Sequence, residues 1–192
     1  PGTVVASTSA TPLPVRVIRY TDTEIEDVKV DTPAACRRLL DKPGVCWIDL
    51  DTAPDAATLE GLRKLLNLHP LAVADAANVP QRPKHESYPN FDFIVLRMPM
   101  ASGRTEQLSL FLGDRWVLTI QEEKGDCLEP VRQQLAEKLG QVRSCGADYL
   151  AYAIVDTVVD AYFPLVEGQF DRLEQVETDM AALADRGALR QL

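Results

Sequence analysis

Phe91 to Gln121 reads FDFIVLRMPMASGRTEQLSLFLGDRWVLTIQ: three apolar runs, rich in β-branched and aromatic residues, separated by turn formers. Phe91 to Met98 reads as a central strand. Glu106 to Leu112 and Arg115 to Gln121 read as two more, joined by a tight turn at Gly113-Asp114. Strands this apolar need cover on their faces, so the fold depends on what the flanking sequence supplies.

Upstream, Val15 to Tyr20 alternates apolar and basic residues as a half-buried strand does, with Ile25 to Val30 as its hairpin partner. Thr32-Pro33 opens a short helix through Leu40, Thr32 as N-cap and Pro33 at the first helical position. Asp41-Lys42-Pro43-Gly44 is a turn, and Val45 to Leu50 a strand. Asp51 to Asp55 carries start signals for a helix reaching about Leu66, with leucines 59, 62, 65 and 66 on one face. A second short helix begins near Pro70. Downstream, Leu128 to Leu139 forms a helix ended by Gly140. From about Ala147 the pattern is helical to the end, with a kink or break at Pro164. Val166, Phe170, Leu173, Val176, Met180 and Leu183 follow at spacings of 4, 3, 3, 4 and 3, a narrow stripe of coiled-coil type. The expected fold is α/β: a mixed β-sheet flanked by helices on both faces, followed by long C-terminal helices that form the start of a stalk. The expected division is a flexible leader over 1–14, an α/β domain over 15–146 and a helical stalk segment over 147–192.

Composition narrows the function. Apolar residues at 46% and charged residues at 26% suit a packed globular chain. A net charge of −9 argues against general nucleic-acid binding, which needs a basic face. Cys36, Cys46, Cys127 and Cys145 show neither CxxC pairing nor clustering with His69 and His85, so they read as reduced thiols. The nearest approach to a membrane helix, Tyr149 to Val166, is broken by Asp156 and Asp160, and the chain as given reads as soluble. Residues 1–14 lack the charged start and apolar segment of a signal peptide. No nucleophile elbow, phosphate-binding glycine loop or HExxH helix occurs, so an enzyme is not expected.

Asp49, Asp51 and Asp55 cluster at a strand-to-helix junction, where a hard cation such as Mg²⁺ or Ca²⁺ could use their oxygens, but the expected role is to satisfy free N–H groups at the helix start. His69 precedes Pro70 and is expected to shape that helix entry. Gln81-Arg82-Pro83-Lys84 reads as a basic turn, or as an anion or subunit contact. Asp75 lies in the otherwise apolar run Leu71 to Ala77, and Asp156 and Asp160 sit one helical turn apart on another. Carboxylates on apolar helices need a partner, a metal ion or a solvated face, and spacing leaves all three open.

In order, Trp47 to Leu50, Leu68-His69-Pro70-Leu71 with Asp75, Asn78 with Gln81 to Lys84, Phe93 to Arg97, Glu106 to Gly113, and Ala147 to Leu150 leading to Asp156, Asp160, Tyr162 and Phe163 resemble the soluble domain of the CorA family of magnesium and cobalt transporters. Each motif is short, but their order is specific and covers about three quarters of the chain. The resemblance implies a homopentamer in the cell membrane, whose cytoplasmic funnel continues into a stalk and two membrane helices. The family's pore signature, Gly-Met-Asn, does not occur in these 192 residues. The resemblance further implies that divalent cations, Mg²⁺ or Co²⁺, bind between cytoplasmic domains and hold the channel closed. Asp75 and Asp156 are the ligand positions it carries over. Ala74 stands where relatives carry a second acidic residue, which weakens the case for a second ion. A zinc-transporting relative of the same fold and a stand-alone oligomerising module remain as alternatives.

Overall fold

The computed structural model describes the backbone of residues 14–100 and 102–189 and the side chains as far as 180. All of the expected leader except Pro14, and the expected stripe position Leu183, lie outside these described side chains.

Strand β1 (Val15–Tyr20) pairs antiparallel with β2 (Ile25–Val30) on one side and β3 (Val45–Leu50) on the other. Strands β4 (Lys84–Tyr88), β5 (Phe91–Pro99), β6 (Thr105–Leu112) and β7 (Trp116–Gln121) form an antiparallel meander. Parallel pairing of β3 with β7 fuses the two groups into one seven-stranded sheet, ordered β2-β1-β3-β7-β6-β5-β4. The middle strand is therefore β7. Strand β5, whose stretch Phe91 to Met98 is expected at the centre, lies next to the edge because β4, read in part as a basic turn, forms the edge strand itself. That strand's Lys84, Glu86 and Tyr88 alternate with the exposed His85 and Ser87, so its half-buried face carries charge rather than the apolar alternation that marks a strand.

Helices α1 (Pro33–Leu40), α2 (Ala56–Leu66) and α3 (Pro70–Ala77) cover one face, burying Cys36, Leu39, Leu59, Leu62, Leu66, Ala72 and Val73 against Cys46, Ile48 and Leu50 of β3. Helices α4 (Glu129–Glu137) and α5 (Ala147–Asp160) cover the other, where Val131, Leu135, Leu150, Ile154 and Val158 meet Val45, Trp47, Leu108 and Leu110. All six residues of β3 are buried, as a strand enclosed on both faces requires. Burial pushes the Cys36, Cys46 and Cys127 thiols up to about 11, which leaves them unreactive at neutral pH.

Local signals set the helix ends with three departures from expectation. Asp55 caps α2 by accepting the Thr58 N–H at 2.7 Å, whereas Thr32 at the start of α1 makes no side-chain cap. Helix α4 stops at Lys138, which takes the left-handed conformation (φ 56°) two residues before Gly140. Pro164 sits in the first turn of α6 (Phe163–Leu189), where no intrahelical N–H is needed, so the break falls earlier, at Ala161-Tyr162. The Tyr162 hydroxyl donates to the Arg97 carbonyl at 2.9 Å and ties this joint to β5. From 169 to 180 every residue is exposed. The helical run Ala147–Met180 is, by length and composition alone, apolar enough to cross a membrane, contrary to the sequence reading; the apolar face of α5 is instead spent on the sheet.

Beneath α4 lies a buried polar network. Asp49, expected to serve a helix start, instead points into the α4 side of the sheet and is 3% exposed. Its Oδ2 accepts from Arg132 Nε and Nη2 at 3.0 and 2.7 Å, and its Oδ1 accepts from the Thr119 hydroxyl at 2.8 Å. That hydroxyl accepts in turn from Trp47 Nε1 at 2.8 Å. Arg132 also donates to both oxygens of Asp126, in the loop after β7, and its guanidinium lies 5.4 Å from the Trp47 ring centroid. Burial by itself raises carboxyl pKa values and does so for Asp49. Asp126 ends below its ordinary value because burial is outweighed there by Arg132. An Arg132→Met substitution leaves two carboxylates buried without a cation, and urea unfolding should show a loss of about 3–5 kcal/mol. The triple variant Asp49→Asn, Asp126→Asn, Arg132→Met should lose less than the single one.

Candidate metal-binding site

Helix α3 begins as its sequence dictates: Pro70 supplies the first turn, and the His69 Nδ1 accepts the Leu71 N–H at 3.2 Å. His69 therefore shapes the helix entry, as expected. With Ala72, Val73 and Ala76 facing the core, Asp75 falls at the margin of the helix, half-buried. Its carboxylate is engaged. Lys84 Nζ of β4 donates to Asp75 Oδ2 at 2.5 Å and to Glu86 Oε1 at 2.7 Å. The Tyr88 hydroxyl donates to the other Glu86 oxygen at 2.8 Å. The two carboxylates hold the Lys84 ammonium above its ordinary pKa, Asp75 contributing most.

The backbone at Asp75 is equally fixed. Gln107 of β6, 1% exposed, donates its Nε2 to the Asp75 carbonyl at 3.2 Å and to the Ser109 hydroxyl at 2.9 Å. Its Oε1 accepts the Gln81 N–H at 2.6 Å. One buried amide thus pins the end of α3 and the approach to β4 to the sheet.

Asp156 is exposed on the outer face of α5. Its negative charge is the main cause that raises the pKa of Tyr152, one turn earlier, and Asp160 adds to the effect. Asp156 and Asp75 belong to opposite helical layers with the sheet between them, so the fold does not bring them together within one chain. Among the described residues no group of three or more His, Cys, Asp or Glu side chains could hold a metal ion. What each position does offer is hard carboxylate oxygen, the donor that Mg²⁺ prefers while keeping most of its water.

The family model described as "CorA-like Mg2+ transporter protein" matches residues 42–192. The chain belongs to this family. It is 32% identical over 171 residues to the cobalt/magnesium transport protein CorA of Thermotoga maritima, covering 86% of this chain and 49% of that protein. It is 30% identical over 140 residues to the putative metal ion transporter YfjQ of Bacillus subtilis, covering 72% and 44%. The chain thus spans about half the length of the curated relatives it matches. Among solved structures, the soluble domain of CorA from Methanocaldococcus jannaschii superposes with a TM-score of 0.67 at 18% identity, over 91% of this chain and 67% of that one. The cytoplasmic domain of ZntB from Vibrio parahaemolyticus superposes at 0.58 with 11% identity, over 83% and 65%. These likenesses confirm the α/β head with its long C-terminal helix. The family is one of transporters, in keeping with the lack of catalytic motifs.

Sequence reasoning placed Asp75 on a helix but missed its partner. Lys84 and Glu86 alternate at i and i+2 on β4, a strand spacing that puts both on one side, and this was the signal available. Replacing Gln107 with Ala strips partners from the Asp75 carbonyl and the Gln81 N–H. Thermal unfolding should show a loss of about 1–3 kcal/mol, with faster amide exchange at Gln81.

Proposed function

We propose that this chain is the cytoplasmic ion-sensing and gating domain of a magnesium transporter that also accepts cobalt, assembled as a homopentamer in the cell membrane. Asp75 and Asp156 contribute carboxylates to regulatory Mg²⁺ held between neighbouring copies. The observation that carries the reading is the family match across residues 42–192, combined with a half-buried carboxylate, Asp75, and an exposed one, Asp156, on opposite layers of the head. Because the sheet separates them, each needs a neighbour to complete a site. An ion bridging carboxylates of two copies offsets their repulsion only while the copies are close, so it stabilises the closed assembly over the relaxed one.

The exposed apolar stripe supports an oligomer: Phe163, Val166, Phe170, Leu173, Val176 and Met180 are each about half to two thirds exposed along α6. In this reading the leader covers 1–14, the α/β head 15–146 and the stalk segment 147–192, whose first helix, α5, lies against the sheet, and membrane helices follow. The zinc alternative rests on a fold-level likeness alone.

Lys84 has a place in the same scheme. A tethered ammonium already sits on Asp75, so Mg²⁺ must displace or share it, and this lowers the apparent affinity of the site. Mg²⁺-dependent inhibition of transport, measured on the full-length protein in proteoliposomes, should disappear in the Asp75→Ala, Asp156→Ala variant. In Lys84→Met the inhibition midpoint should move to lower Mg²⁺. Wild-type inhibition in the double carboxylate variant would remove Asp75 and Asp156 from the sensor.

A further inference from the structure

Among the described residues, two buried side-chain oxygens without a hydrogen-bond partner, Glu106 Oε1 and Gln121 Oε1, belong to neighbouring strands, β6 and β7. Leu108 faces Gln121 across that ladder, so Glu106, two residues before Leu108, is the diagonal neighbour of Gln121 on the same face. Diagonal neighbours in an antiparallel pair lie within reach of each other's long side chains. The face is the one that α4 and α5 cover, since Leu108 and Leu110 follow Glu106 along it and Thr119 precedes Gln121. Both residues are more than nine-tenths buried. Each oxygen is an acceptor, and leaving both without a donor is costly in such a place.

Neither side chain is free to turn away. Gln121 Nε2 donates to Asp126 Oδ2 at 2.7 Å, and Asp126 is ionised against Arg132, so the amide nitrogen belongs on that side and the oxygen on the other. Glu106 Oε2 accepts the N–H groups of Glu122 and Glu123 at 3.0 and 2.8 Å, where β7 ends and the chain turns towards α4. The groups around Glu106 favour its neutral form. Strand β5 offers Met98, its partner in register, which is buried and apolar. Helix α5 turns Leu150, Ile154 and Val158 to this face, and Tyr162 after it spends its hydroxyl on the Arg97 carbonyl. The loop after β7 brings Glu122, Glu123 and the neutral Cys127 thiol. The cations nearby are engaged elsewhere: Arg132 of α4 with Asp49, Asp126 and Glu129, Arg97 with Glu122, and Arg104 with Glu123. Burial, with the charges of Glu122 and Glu123, pushes the Glu106 carboxyl above its ordinary value in spite of two N–H bonds that pull it down.

We propose that Glu106 is a proton-operated latch: as a carboxylic acid it donates from Oε1 to Gln121 Oε1 and joins the end of β7 to the Arg132 network. The chain of hydrogen bonds then runs from Trp47 through Thr119, Asp49, Arg132, Asp126 and Gln121 to the backbone of Glu122 and Glu123. When the proton leaves, Glu106 keeps its two N–H bonds, which an ionised carboxylate accepts more strongly. It then sets a charged oxygen against the amide oxygen of Gln121, and that contact opens. The folded chain binds this proton more tightly than the unfolded chain. The latch therefore contributes fully below the ordinary carboxyl range, and its contribution is lost as pH rises through the folded value. It is complete within one copy and uses neither Asp75, Asp156 nor a metal ion.

Carbon-13 NMR of the glutamate carboxyl groups in the 192-residue chain, in metal-free buffer, tests this on the unaltered protein. Glu106 should titrate clearly above the ordinary glutamate value of about 4.3. The side-chain amide signals of Gln121 should shift with the same midpoint. Glu106→Gln supplies a permanent donor, since its amide nitrogen replaces the acid proton and its oxygen keeps the two N–H bonds. In that variant the Gln121 signals should stay unchanged over the same range. Its melting temperature should gain on that of the wild type as pH rises, by a few degrees between about pH 5 and pH 8. A Glu106 midpoint at or below the ordinary value overturns the proposal in favour of a buried water that bridges a carboxylate to Gln121. So does a raised midpoint that the Gln121 amide does not follow, or a stability difference between variant and wild type that is the same at every pH.

Discussion

Arg132 places a full positive charge beneath the surface of this fold, and the architecture can be traced outward from the two carboxylates that neutralise it. Asp49 comes from β3, Asp126 from the loop after β7 and Arg132 from α4, so one guanidinium ties together the parallel strand pair and the first helix over it. Thr119 and Trp47 complete the chain of donors from within the same two strands. Each of these groups would be costly to bury alone, and together they are satisfied only when β3 and β7 pair in the observed register with α4 on that face. An apolar core of the same size tolerates small slips; a buried ion triad does not.

The β3–β7 pair in turn governs where function can reside. It is the seam between two antiparallel groups of strands, and the crossover through α2 and α3 passes on one face while α4 and α5 follow on the other. Asp75 is thereby committed to one layer and Asp156 to the other. A fold that separates two carboxylates by a sheet makes any site using both a property of an assembly.

Helix α5 shows how one composition serves different ends. Its apolar residues are numerous enough to satisfy a bilayer, yet they sit on one side, against Leu108, Leu110 and Met98, and its outer side carries Tyr152, Asp156 and Asp160. Helix α6 then presents an apolar stripe that nothing among the described residues covers. The joint at Ala161-Tyr162, pinned to β5 by the Tyr162 hydroxyl, separates a helix that belongs to the core from one that leaves it.

Local chemistry determined a large part of this protein. Strand and helix periodicity, the Asp55 and His69 caps and the turn at Asp41 to Gly44 act within a few residues, so the sequence by itself set every strand but β4, the helices and the α/β class. The ordered short motifs, Leu68 to Leu71 with Asp75 and Ala147 to Asp156 among them, also carried the family. Tertiary structure decided the rest, because it depends on residues far apart in the chain. The β3–β7 pairing joins positions some seventy residues apart, and Asp49 finds Arg132 across 83. The edge position of β4 follows from its pairing with β5 at the end of the meander, and there Lys84 meets Asp75. Local sequence could show a carboxylate on an apolar helix; only the packed sheet could say which cation it meets.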